Sequence, residues 1–166
     1  MDKYTLVALM EDKPGVLNRI SSLFRRRNYN IESLSVGHSE KSGISRMTIV
    51  VNGDERVVDQ VAKQLDKLIN VTHVVDVSDK PTVMRELVLI KVNALPGTRS
   101  EIAELANIFR ARVIDVAATS LTVEITGPED RVNSLINLLK PYGIAELART
   151  GRVAMVRGAN GSNGLH

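Results

Sequence analysis

The apolar residues of this chain switch period in a fixed order, and the order occurs twice. In the first half, alternation over 3–10 predicts a strand, with Tyr4, Leu6, Ala8 and Met10 on one side and Thr5, Val7 and Leu9 on the other. Val16, Leu17, Ile20, Leu23 and Phe24 then fall at helical spacing and predict a buried helix face over 14–27, with Pro14 near its first turn and Asn28 as its stop. Strands follow over 30–37 and 45–52, divided by the turn "GHSEKSG". A helix over 55–68 carries Val57, Val58, Val61, Leu65 and Leu68 behind Asp54 as N-cap, and Val71, Val74, Val75 and Val77 mark a last strand over 71–77. The order β-α-β-β-α-β closes into one antiparallel four-stranded sheet with both helices on one face. The other face must be solvated or covered by something else.

A second pass begins at 85. A strand over 85–93 leads to "LPG" at 95–97 and a helix over 99–110. Strands over 112–118 and 120–126, a helix over 128–139 and a strand over 144–149, extended to about Val156, complete it. "PGVLNRISSL" in the first half echoes "PGTRSEIAEL" in the second, and "GDERVVDQVAKQL" echoes "GPEDRVNSLINLL". The chain therefore reads as an α+β protein of two tandem ferredoxin-like βαββαβ domains, at 1–78 and 84–157, with a linker at 79–83. The Gly/Asn-rich stretch 158–166 is expected to be a disordered tail.

Composition excludes several functions. Without cysteine there is no disulfide, thiolate metal site or thiol nucleophile. The apolar runs are too short to span a bilayer, and "MDKYTLV" lacks the features of a secretory signal, so a cytoplasmic protein is expected. The net charge of +3 is spread evenly, with 11 Lys/Arg against 10 Asp/Glu in residues 1–78 and 11 against 9 thereafter. That is not the basic face of a nucleic-acid binder, and the strand "SRMTIVV" offers no aromatic on which a base would stack. His38 lies in or beside a turn, His73 in a strand and His166 at the tail, with no metal-ligand spacing and no nucleophile–base set, so neither a metal site nor an enzyme is expected. Glu11–Asp12, Asp54–Glu55 and Arg25–Arg27 all suit the ends of helix dipoles.

One stretch asks for more. "MEDKPGVLNRI" (10–20) places Gly15 where almost any other residue would favour the helix. Glycine there either eases a tight strand-to-helix turn or lets a ligand approach bare backbone amides. A helix N-terminus suits a carboxylate, Asp12 suits an ammonium group, and Val16, Leu17 and Ile31 suit a short apolar side chain. Such a corner binds a small zwitterion and holds nothing that reacts with it.

"DKPGVLNRISSLF" within a βαββαβ unit resembles an ACT domain. "RRRNYNIESLSVG", then "SRMTIVV" and "RELVLIKV", are similar to the small regulatory subunits of acetohydroxyacid synthase (acetolactate synthase), over nearly all of residues 1–156. The resemblance implies a chain with no active site of its own. It implies a partner, the large catalytic subunit, which carries thiamine diphosphate, magnesium and FAD. The small subunit raises that partner's activity and confers feedback inhibition by a branched-chain amino acid, usually valine. The resemblance also implies a homodimer of ACT domains paired edge to edge. The effector site at that interface would use Asp12, Gly15, Val16 and Leu17, with Asn30 and Ile31 from the partner subunit. Asn18 joins them where family members often have Ser, and Asp12 stands where many have Asn. A stand-alone ACT sensor acting on another enzyme or a transcription regulator would share the local motif, but the second domain and "YNIESL" with "SRMTI" argue against it.

Overall fold

The computed structural model describes residues 2–158, so the predicted tail beyond Gly158, His166 included, lies outside the described residues. The chain forms two compact units. One comprises the residues up to Val83 together with those from Arg152 onward, and the other is Met84–Gly151.

In the first unit, β1 (Asp2–Glu11), α1 (Val16–Arg27), β2 (Ile31–His38), β3 (Ile44–Gly53), α2 (Glu55–Asp66) and β4 (Val71–Asp76) follow the predicted order. All strand pairs are antiparallel and the sheet order is β2-β3-β1-β4. Alternate residues of β1 and β3 (Leu6, Ala8, Met10, Met47, Ile49, Val51) meet Val16, Ile20, Leu23 and Phe24 of α1 and Val58, Val61 and Leu65 of α2 in one buried cluster. Asp54 caps α2 as expected, accepting from the Val57 amide at 2.9 Å. Val57 and Leu68 pack only at the rim of the core.

The helix-free face is covered rather than solvated. Thr5, Val7, Thr48 and Val50 are all buried. Two arginines from this unit bridge across it: Arg152 Nη1 donates to Thr5 Oγ1 at 3.1 Å, and Arg46 Nη2 donates to the Ala154 carbonyl at 2.8 Å. Arg152 and Ala154 come from the end of the last extended run of the chain. The extended run expected from 144 to about Val156 is two strands, β8 (Ile144–Arg149) and β9 (Val153–Val156). Gly151 between them has φ +81°, a conformation that ends an extended strand.

The second unit repeats the arrangement with β5 (Thr82–Asn93), α3 (Arg99–Ile108), β6 (Arg112–Val116), β7 (Ser120–Gly127), α4 (Glu129–Leu139) and β8. The sheet order is β6-β7-β5-β8. Val88, Ile90, Val92, Val123 and Ile125 pack against Ile102, Val132, Leu135 and Leu139. The carboxylate of Glu86, buried in β5, accepts from the Arg149 guanidinium, which also donates to Asn133 Oδ1 at 3.0 Å.

Candidate functional site

The corner between β1 and α1 is built by one backbone conformation. Gly15 adopts φ +88° and ψ −12°, a left-handed conformation that costs an L-residue about 1–2 kcal/mol. A right-handed helix cannot include such a residue, so α1 starts at Val16 rather than at 14, and Pro14 stands before the cap instead of in the first turn. Both readings of the glycine have a physical basis here. The backbone demands it, and a Cβ added at Gly15 would meet nothing within 4 Å, so the space above the turn is open. No side chain caps α1 and its first turn holds no acidic residue, in contrast to α2 with Asp54 and Glu55. The Val16 amide makes one long bond, to the Lys13 carbonyl at 3.4 Å, and the first-turn amides after it, which no side chain caps, suit an anion together with the positive end of the helix dipole.

The two acidic residues before the turn are treated differently. Glu11 is tied inward to the start of β4. Its amide donates to the Asn70 carbonyl at 2.8 Å, Asn70 Nδ2 donates to its Oε2 at 2.9 Å, and Lys13 Nζ lies 3.0 Å from the same oxygen. The Asn70 hydrogen bond, and then Lys13, hold the Glu11 carboxyl below the usual carboxylate range. Arg19 Nη1 of α1 donates to Asn70 Oδ1 at 2.7 Å, so Asn70 fastens the helix to the end of the strand. Asp12 faces outward on the other side. Its amide donates to the Gly43 carbonyl at 2.8 Å, and its Oδ2 lies 3.3 Å from His38 Nδ1.

The turn thus brings together Asp12, Gly15, Val16, Leu17 and Asn18. Val16 is buried, whereas Leu17, expected in the core, is 46% exposed because it projects from the first turn beside the open corner. Asn30 and Ile31 lie elsewhere in the same chain. Ile31 pairs with Val51, which pairs with Tyr4 of β1, roughly 23 Å along the strand from Glu11. Asn30 accepts from the Asn52 amide at 3.0 Å, and Ile31 packs against the core. Sequence reasoning missed His38 and Asn70 as neighbours of the turn. Both arrive through sheet pairing, and no local spacing signals either.

An uncapped helix start beside an outward carboxylate complements a small zwitterion. Among the described residues no group of three or more His, Cys, Asp or Glu is placed to hold a metal ion, and no helix is long and apolar enough to cross a membrane.

Comparison with known proteins agrees in both halves. Residues 6–73 match the AHAS small subunit-like ACT domain, and residues 85–158 match the family described as the small subunit of acetolactate synthase. The chain is 57% identical over 156 residues to a probable acetolactate synthase small subunit of Archaeoglobus fulgidus, covering 94% of this chain and 98% of that protein. It is 51% identical over 158 residues to the acetolactate synthase small subunit of Mycobacterium bovis, covering 95% and 94%. The crystal structure of the acetolactate synthase small subunit from Thermotoga maritima superposes with a TM-score of 0.87 at 40% identity, over 95% of this chain and 99% of that one. With both halves matched, the chain belongs to the acetolactate synthase small-subunit family, that of the ACT-containing regulatory subunit and not of the catalytic one.

Proposed function

We propose that this chain activates the catalytic subunit of acetolactate synthase in the cytoplasm and makes it sensitive to feedback inhibition by a branched-chain amino acid, valine foremost. The observation that carries the reading is the start of α1 with no side-chain cap, where Gly15 leaves open space over the first turn three residues after Asp12. The effector carboxylate sits on those amides, its ammonium group faces Asp12, and its side chain rests on the exposed Leu17. Thiamine diphosphate, magnesium and FAD belong to the catalytic subunit in this reading.

A homodimer completes the site. β2 is an edge strand of its sheet, and its two ends carry the two halves of the candidate set: Asn30–Ile31 at the start, and His38 beside the Asp12 turn at the end. Two β2 edges pairing antiparallel would set the start of one strand against the end of the other. Each corner would then receive Asn30 and Ile31 from the second copy. Residues 1–78 would bind the effector and dimerise. Effector bound between the copies favours one arrangement of the dimer, and that arrangement holds the catalytic subunit in a less active state. Couplings of this kind are about 1–3 kcal/mol, a several-fold to hundredfold change.

The test is calorimetric titration of the purified chain with valine, leucine and isoleucine, alongside acetolactate formation by the catalytic subunit with and without it. Saturable binding to the chain, activation on mixing and inhibition by the same amino acid are expected. A chain that binds none of the three and leaves the catalytic subunit's rate unchanged would sink the reading.

A further inference from the structure

Asp12 is already partnered. Its Oδ2 lies 3.3 Å from His38 Nδ1, and both side chains are well exposed, at 48% and 84%. Histidine is the side chain whose charge ordinarily changes between pH 5 and 8. We infer that His38 is an affinity-determining residue of the effector site, where its protonated imidazole competes with the effector's ammonium group for the Asp12 carboxylate. This inference rests on the site reading above and adds to it a proton-linked control.

The direction follows from the charges. A protonated His38 forms a full ion pair with Asp12 and places a positive charge where the ammonium group must arrive. Both effects weaken binding at low pH. A neutral imidazole gives up Asp12 more readily, so affinity rises as pH rises. Effector binding then lowers the proton occupancy of His38 and releases protons.

The other charged groups around the pair have different engagements. On the β1 side, Glu11 is held by Asn70 and Lys13. On α1, Arg19 is held by Asn70. In the hairpin, Glu40 and Lys41 follow His38 by two and three residues. From β3, Arg46 shares with His38 a cavity of about 200 Å³, also lined by Ser35, Val36 and Thr48, and donates to the Ala154 carbonyl. The Glu11 carboxyl is held below the usual carboxylate range, and an arginine such as Arg46 stays charged throughout. Of these groups, His38 is the one within ion-pair distance of Asp12.

The experiment is titration of the full chain with L-valine at pH 5.5, 7.0 and 8.0, in pairs of buffers that differ in ionisation enthalpy. For the native sequence, binding is expected to weaken up to about fivefold from pH 8.0 to 5.5, the range of an exposed ion pair, with net proton release at pH 5.5. His38→Ala is expected to bind tighter than the native sequence at pH 5.5, with a flat profile and no proton release. His38→Lys, charged throughout, is expected to bind weakly at every pH. Native binding that is pH-independent, or a slope that survives in His38→Ala, overturns the role of His38. In that event Gly15→Asp tells the two readings apart. If it abolishes binding, the site stands and only the histidine's role fails. If no variant and no pH gives binding, both readings fall together.

Discussion

The two Pro-Gly turns, Pro14–Gly15 and Pro96–Gly97, are the clearest echo between the halves, yet their backbones differ. Gly15 sits at φ +88°, whereas Gly97 is not among the positive-φ glycines, and α3 is entered through Thr98 at φ −113°. The Thr98 amide and hydroxyl both bond to the Leu95 carbonyl, at 2.9 and 3.2 Å. The guanidinium of Arg99 donates to the carbonyls of Ala117 and Ala118, and Glu101 puts a negative charge in the first turn of α3. Neither helix has a side-chain cap, but the first turn of α1 holds no acid, and Asp12 stands just upstream of Gly15. The same two residues therefore serve a strand-to-helix turn twice. Only the first turn leaves an undischarged helix start with a carboxylate next to it. A repeated sequence motif need not carry a repeated site.

The comparison can be broken most directly at the effector. Gly15→Asp fills the open space with a repelling carboxylate and is expected to weaken valine binding by at least about tenfold in calorimetry, while Gly97→Asp leaves it unchanged. Equal losses would show that the difference between the turns has no functional weight. Stability should separate them next. Gly15→Ala forces a Cβ into a left-handed conformation and should cost about 1 kcal/mol in urea unfolding. Gly97→Ala should stay within about 0.5 kcal/mol of the native sequence. Asp54→Ala sharpens the contrast between capped and uncapped helix starts, because loss of the bond to the Val57 amide should cost about 1 kcal/mol by the same assay. The smallest effect concerns the fastening of the first turn. Glu11 is held below its ordinary range, so it contributes stability above about pH 4.5 that is lost as pH falls through its depressed value. Asn70→Ala removes the main cause, so the acid limb of a stability–pH profile should become shallower below that pH. An unchanged limb would mean that Lys13 alone accounts for the shift.

Much of this was legible in advance. The order of strands and helices, the antiparallel sheets and the core of α1 at Val16, Ile20, Leu23 and Phe24 follow from hydrophobic period. The cap at Asp54 follows from local chemistry. Leu17 was misread because period reports the face of a helix and not how far the neighbouring elements extend to cover its first turn. Asn28 was read as a stop and is one, at φ 54°, because a left-handed asparagine is a local preference.

What the sequence determined by itself is whatever depends on neighbours within a few residues: the period of each element, the turn residues, the lone glycine before α1 and the family that these spell out. Tertiary structure alone decided that His38 meets Asp12, that Asn70 fastens Glu11 and Arg19, and that the strand after Gly151 returns to the first unit. It also decided that Asn30 and Ile31 lie at the far end of β2 from the turn. These are contacts between residues tens of positions apart. Their partners are chosen by strand register and packing, which the whole sheet settles at once and no short stretch encodes.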